Sequence, residues 1–113
     1  MKNTFSYIRR CIRKYSSSVG DNDIRKPFYL MATPGKTRVH IMFYDNGNEN
    51  KICNYQYSLD SGKTYKVIDP PQTLGPITIE GLTSGTTYDI VLRGINNNII
   101  GPPSSPVTVT LMK

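Results

Sequence analysis

The chain has 113 residues, enough for one modest hydrophobic core and little beyond it. Its formal charge of +6 is uneven: residues 1–26 hold seven basic residues against Asp21 and Asp23, whereas residues 27–113 hold seven against six. The body therefore shows no basic nucleic-acid face, no run approaches the roughly 20 apolar residues of a membrane span, and two cysteines do not make a disulfide framework.

The first element is a basic arm. Phe5, Ile8, Ile12, Tyr15 and Val19 recur in steps of three and four, which places them on one face if a helix forms. Arg9, Arg10, Arg13 and Lys14 fall largely off that stripe. Ser16, Ser17 and Ser18 are poor helix interior, so the helical part ends near Tyr15. So short a helix is marginal alone in water and needs a surface to lie on. Gly20–Lys26 reads as a linker, which divides the chain into an arm and linker (1–26) and a folded domain (27–113).

The rest alternates with a period of two. Phe28–Met31 is a first edge strand, and Thr33, Pro34 and Gly35 mark a turn. Val39, Ile41 and Phe43 share the inward face of the next strand, with His40 outward. Asp45–Lys51 is a polar loop. Ile52–Leu59 follows, with Tyr55, Tyr57 and Leu59 on one face, and Asp60, Ser61 and Gly62 form a tight hairpin connection. Short strands are expected at Tyr65–Ile68 and Ile77–Ile79, then a longer one through Tyr88, Ile90 and Leu92, and a last one through Val107, Val109 and Leu111. Seven short strands at close spacing predict an all-β fold of two packed antiparallel sheets. The expected core is Val39, Ile41, Phe43, Tyr57, Ile79, Leu82, Tyr88, Ile90, Leu92, Val107 and Val109.

No pattern of reactive residues emerges. His40 is the only histidine and alternates outward, so it reads as a surface or cross-strand residue without a paired nucleophile. One His and two separated Cys do not make a zinc site. Asp60, Asp69, Glu80 and Asp89 lack the spacing of a calcium loop. The glycines from Gly81 to Gly85 lead into a strand, so they are not a phosphate loop. Cys53, beside Ile52, reads as a buried inert thiol, with pairing to Cys11 left open. Tyr44 and Tyr65 fall at outward positions, where an exposed aromatic pair would suit a sugar or a protein, against the plainer reading of cross-strand partners. The expectation is a protein that is not an enzyme and takes no cofactor, metal or small-molecule substrate.

The run from Gly81 to Thr110 carries a resemblance. Leu82, Gly85 and Tyr88 are similar to the E–F turn of fibronectin type III domains, and TTYDIVLRGINN followed by GPPSSPVTV resembles the end of that family's sequence, with Gly101, Pro102, Ser104, Pro106 and Val107 matching position for position. Phe43 stands where the family usually has a strand-B tryptophan, Tyr55 matches its strand-C aromatic, and YQYSLDSGKTY looks like its C–C′ hairpin. The resemblance spans Phe28 to Leu111 and leaves out the arm. It implies a seven-stranded immunoglobulin-like sandwich, and a tyrosine corner in which the Tyr88 hydroxyl donates to backbone near Leu82–Gly85. No Arg-Gly-Asp triplet is present, so integrin-type adhesion is not implied. Ile99 and Ile100, after Asn97 and Asn98, replace the family's small loop residues; they either fold over the sandwich end or form a contact patch.

Three readings of the arm stand open. It is an assembly tether that buries Phe5, Ile8, Ile12 and Tyr15 against another protein chain, with Arg9, Arg10 and Arg13 at the rim. Alternatively it contacts nucleic acid or an anionic membrane, or it is a targeting segment. The periodic apolar stripe favours the tether, because a solvated basic tail has no need of one. Arginines interrupt any apolar signal-peptide core, so the expected location is intracellular, or on a particle assembled in a cell. The bias toward Asn, Ile and Lys suggests a minor capsid or cement protein in the virion of a large DNA virus; the alternative is an accessory adhesion or spacer domain at a cell surface.

Overall fold

The computed structural model describes residues 24–48, 51–96 and 99–113. It is a sandwich of two antiparallel sheets, with no helix among the described residues. The first sheet has the order β1 (Phe28–Pro34), β2 (Val39–Tyr44), β5 (Ile77–Ile79). The second runs β4 (Lys66–Val67), β3 (Asn54–Ser58), β6 (Thr87–Asn96), β7 (Ile99–Ile100), and β8 (Val107–Thr110) also pairs with β6.

Alternation explains the layering. In β2, Val39, Ile41 and Phe43 are buried while His40, Met42 and Tyr44 are exposed. Ile77 and Ile79 of β5 pair beside them, Ile41 with Ile77 and Val39 with Ile79. From the second sheet Tyr55, Ile90, Leu92 and Val109 close the core. The rings of Phe43 and Tyr55 meet edge to face across the sandwich, 5.1 Å apart at 80°. Tyr57, Tyr88 and Val107 are half-buried and pack against the core rather than within it. Burial on the inward side of β3 fades along the strand: Tyr55 is fully buried, Tyr57 and Leu59 only half. Ile52, Ile68 and Leu111 add core side chains from just outside the strands.

Two details differ from the expectation. The first strand continues through Pro34, and the turn falls at Gly35–Arg38, where the Gly35 amide donates to the Arg38 carbonyl at 2.8 Å. Ile99 and Ile100, expected in a loop, form a short strand of their own on β6 ahead of β8, so the described residues make eight segments where seven were expected. Pro102, Pro103 and Pro106 have no N–H to donate, yet the pairing with β6 is not abandoned across the break. The Gly101 amide donates to the Gly94 carbonyl and the Ser104 amide to the Leu92 carbonyl, each at 2.8 Å. The Leu92 amide in turn donates to the buried Ser104 hydroxyl at 3.0 Å. A serine side chain thus takes the place of a main-chain acceptor.

The β3–β4 hairpin is held by Asp60, as its turn residues suggest. Its carboxylate accepts from the Ser58 hydroxyl (2.6 Å), the Thr64 amide (2.9 Å), the Thr64 hydroxyl (2.7 Å) and the Lys63 amide (3.1 Å). Ser61 and Gly62 take the positive φ values that the reversal requires, 64° and 95°. These hydrogen bonds, that from Ser58 foremost and those from Thr64 next, hold the Asp60 carboxyl well below the usual carboxylate range.

Candidate interaction site

The arm joins the sandwich at a built junction. Ile24 is only 5% exposed and belongs to the core. It sits over two glycines: a Cβ on Gly101 would collide with the Ile24 side chain, and one on Gly94 would lie 2.9 Å from Ile52 Cγ2 and 3.3 Å from Ile24 Cγ2. Asn48 is fully buried and clamps the next residue, its Nδ2 donating to the Arg25 carbonyl at 2.6 Å and its Oδ1 accepting from the Arg25 amide at 2.9 Å. Asn46 Nδ2 donates to the Lys26 carbonyl at 3.2 Å. A polar loop therefore does the work of a neighbouring strand, satisfying main-chain groups on a segment that has no strand of its own. Ile24, Arg25 and Lys26, which the sequence places in the linker, are held by the folded body.

The arm residues Phe5, Ile8, Arg9, Arg10, Ile12, Arg13 and Tyr15 lie outside the described residues. So does Cys11. Cys53 corrects the expectation of a buried thiol: it is half-buried and disulfide-bonded, with Sγ 3.6 Å from the Ile95 carbonyl oxygen. Ile99 and Ile100 part company. Ile99, opposite Asn96, is half-buried against the core, whereas Ile100, opposite Ile95, is 51% exposed. Strand alternation turns Ile99 toward the core and Ile100 toward solvent.

Leu82 is buried, and Tyr88 makes a corner with the polarity reversed. The Thr83 amide donates to the Tyr88 hydroxyl at 3.0 Å, so the hydroxyl is the acceptor in this bond. Spacing located the bond; it carried no information on which partner supplies the proton. His40 is exposed and pairs across the sheet with Thr78, Nδ1 to Oγ1 at 2.8 Å. Among the described residues no three His, Cys, Asp or Glu side chains gather as a metal site would require.

The sequence singled out neither Tyr29 nor the methionines, yet among the described residues the outer side of the first sheet gathers the most exposed large apolar side chains. Tyr29, Met31, Met42 and Tyr44 are 72%, 67%, 49% and 63% exposed. Met31 pairs with Met42 and Phe28 with Tyr44, with a bulge between. Within it Tyr29 adopts φ 57°, a left-handed conformation that costs a non-glycine residue roughly 1–2 kcal/mol. The bulge brings its ring 4.8 Å from Phe28 and 5.5 Å from Tyr44, both edge to face. The signal was present in the alternation: the outward positions of β2 are His40, Met42 and Tyr44, none of them charged. The second sheet's outer side is different. Arg93 lies 3.5 Å over the Tyr65 ring and its Nε donates to Gln56 at 2.7 Å, so Tyr65 is not an open aromatic and does not pair with Tyr44.

No family model and no curated protein sequence matches the chain. Solved structures do. The fibronectin type-III domain of human fibronectin type III domain containing protein 3 is similar with a TM-score of 0.61 and 18% identity, over 77% of this chain and 84% of that one. The FN5 domain of Drosophila Lar is similar with a TM-score of 0.57 and 20% identity, over 78% and 96%. The chicken CNTN1 FN1–FN3 domains are similar with a TM-score of 0.60 and 16% identity; this chain covers 30% of that longer one. The two-sheet order and these neighbours together define the fold as fibronectin type III.

Proposed function

We propose that the chain is a non-catalytic module whose sandwich is a rigid body and whose N-terminal arm anchors it in a larger protein assembly. The observation that supports this most is the junction. Ile24 is packed over Gly94 and Gly101 and Arg25 is clamped by Asn48, so the arm leaves the body from a fixed point. Beyond that point the sequence carries the apolar stripe Phe5, Ile8, Ile12 and Tyr15, flanked by arginines. A large virus particle is one such assembly, suggested by the sequence bias toward Asn, Ile and Lys alone.

The test is a truncation that begins at Asp23, with full-length and shortened chains compared in reductant so that Cys53 is in one state. The shortened chain should keep its fold and lose its place in the native assembly, and a photoreactive residue at position 8 or 12 in the full chain should crosslink to another protein. Normal incorporation of the shortened chain overturns the proposal. The arm's excess of basic residues favours a second reading, contact with nucleic acid. It requires binding by the full chain that falls steeply with salt and vanishes on truncation, measured by fluorescence anisotropy. Binding retained by the shortened chain would place it on the near-neutral body and refute both readings of the arm's charge.

A further inference from the structure

We propose that the outer side of the β1–β2 sheet is a contact between two copies of this chain. The outward positions are Phe28, Tyr29, Met31 and Thr33 on β1, His40, Met42 and Tyr44 on β2, and Thr78 on β5. None of these carries a formal charge at neutral pH, in a chain with 22 charged residues. Solvated sheet sides ordinarily mix apolar with charged residues, which blocks association. The second sheet follows that rule, with Arg93 covering Tyr65. The first does not.

The backbone points the same way. Tyr29 sits in the left-handed region, 72% exposed, so its conformational cost is met by two ring contacts and by little burial. Strain held at an exposed aromatic is more economically explained by a partner than by folding. The occupant follows from charge and area. Each copy carries +6, and an uncharged side is where two such copies can meet without opposing like charges. At roughly 150–250 Å² per large side chain, the exposed parts of Tyr29, Met31, Met42 and Tyr44 amount to about 500 Å². Phe28, Thr33, His40 and Thr78 extend this toward the ~800 Å² per partner of a standard interface. Two twisted sheets pack face to face at about 10 Å. A twofold axis lying across the patch between the Met31–Met42 pair and the tyrosines would set the methionine sulfurs of one copy against the tyrosine rings of the other, a favourable pairing. This contact is separate from the arm and does not depend on its role.

The experiment is sedimentation velocity on the full chain from about 1 μM to about 1 mM, in reductant so that thiol linkage between copies is not counted. We expect a reversible dimer that persists in ~1 M salt, since apolar contacts survive screening. Met42→Lys should weaken it at least tenfold. Tyr29→Asn should also weaken it while leaving the urea midpoint unchanged or raised, because asparagine tolerates the left-handed region; a purely structural role for Tyr29 predicts the opposite on stability. A photoreactive residue at position 42 should crosslink to β1 or β2 of a second copy. The proposal is overturned by a chain monomeric to 1 mM, by variants that dimerise like wild type, or by crosslinks from position 42 to residues 1–23 of the same chain.

Discussion

Replacing Ile24 by alanine tests whether the folded body begins before the first strand. The side chain is 5% exposed and rests on the main chain at Gly94 and Gly101. Isoleucine to alanine in a core costs about 2–5 kcal/mol, and the loss is larger where the surroundings cannot collapse into the space. Here one wall is paired backbone, with the Gly101 amide bonded to the Gly94 carbonyl at 2.8 Å, and it has little freedom to move. The expected loss is therefore about 3–4 kcal/mol, or a fall in melting temperature of about 4–8 °C for each kcal/mol in a domain of this size. Urea denaturation followed by tyrosine fluorescence measures it. Gly101→Ala sharpens the test. Alone it should destabilise, because its methyl collides with Ile24; combined with Ile24→Ala it should cost much less, because the methyl then fills the vacated space. A loss below about 1 kcal/mol for Ile24→Ala, or strict additivity of the pair, would refute the packing of Ile24 over the two glycines. A truncation at Pro27 is for the same reason a poor test of the arm. It would remove Ile24 and strip the buried Asn48 amide of both Arg25 bonds, so any loss of function would be mixed with a loss of stability.

Tyr88→Phe should cost only about 0.5–1.5 kcal/mol by chemical denaturation, because the abandoned group is the exposed Thr83 amide, which water can satisfy; a loss above about 3 kcal/mol would show a buried acceptor that this geometry lacks. Asp60 makes a pH prediction. Its carboxyl titrates lower in the folded chain than in the unfolded one, so unfolding takes up a proton in acid. Its contribution is complete above the unfolded aspartate value of about 4 and drains away as pH falls below it. Asp60→Ala should accordingly lower the urea midpoint at neutral pH, and the gap from wild type should narrow below about pH 4. A gap independent of pH would mean that the turn gains nothing from the charged form.

The sandwich was legible because its strands keep a period of two, and one side of each must be apolar to pack. Val39, Ile41 and Phe43 could be placed inside from that pattern alone. Ile24 could not. It is a single apolar residue among polar ones, and the glycines that receive it lie some 70 and 77 positions away. Asn48 was hidden for the opposite reason: a polar residue in a polar loop looks solvated, and only the fold reveals that Arg25 presents an amide and a carbonyl to it. The left-handed turn at Tyr29 is invisible in composition, because tyrosine is not a residue that announces such geometry. The division between Ile99 and Ile100 needed the register with Asn96 and Ile95, which no local pattern specifies.

The proline-interrupted last strand has a consequence for life at high density. It forms one margin of the second sheet, where an open ladder would invite a neighbour's strand. Pro102, Pro103 and Pro106 offer no hydrogen there, and Ser104 turns its own hydroxyl inward to Leu92. At the margin of the first sheet the bulge between Phe28 and Met31 and the proline at position 34 break the repeat that a templated strand would follow. At these two margins, copies can be crowded side by side without one sheet templating a strand on the next. Contacts made there work through side chains, and such contacts can be undone without unfolding a strand.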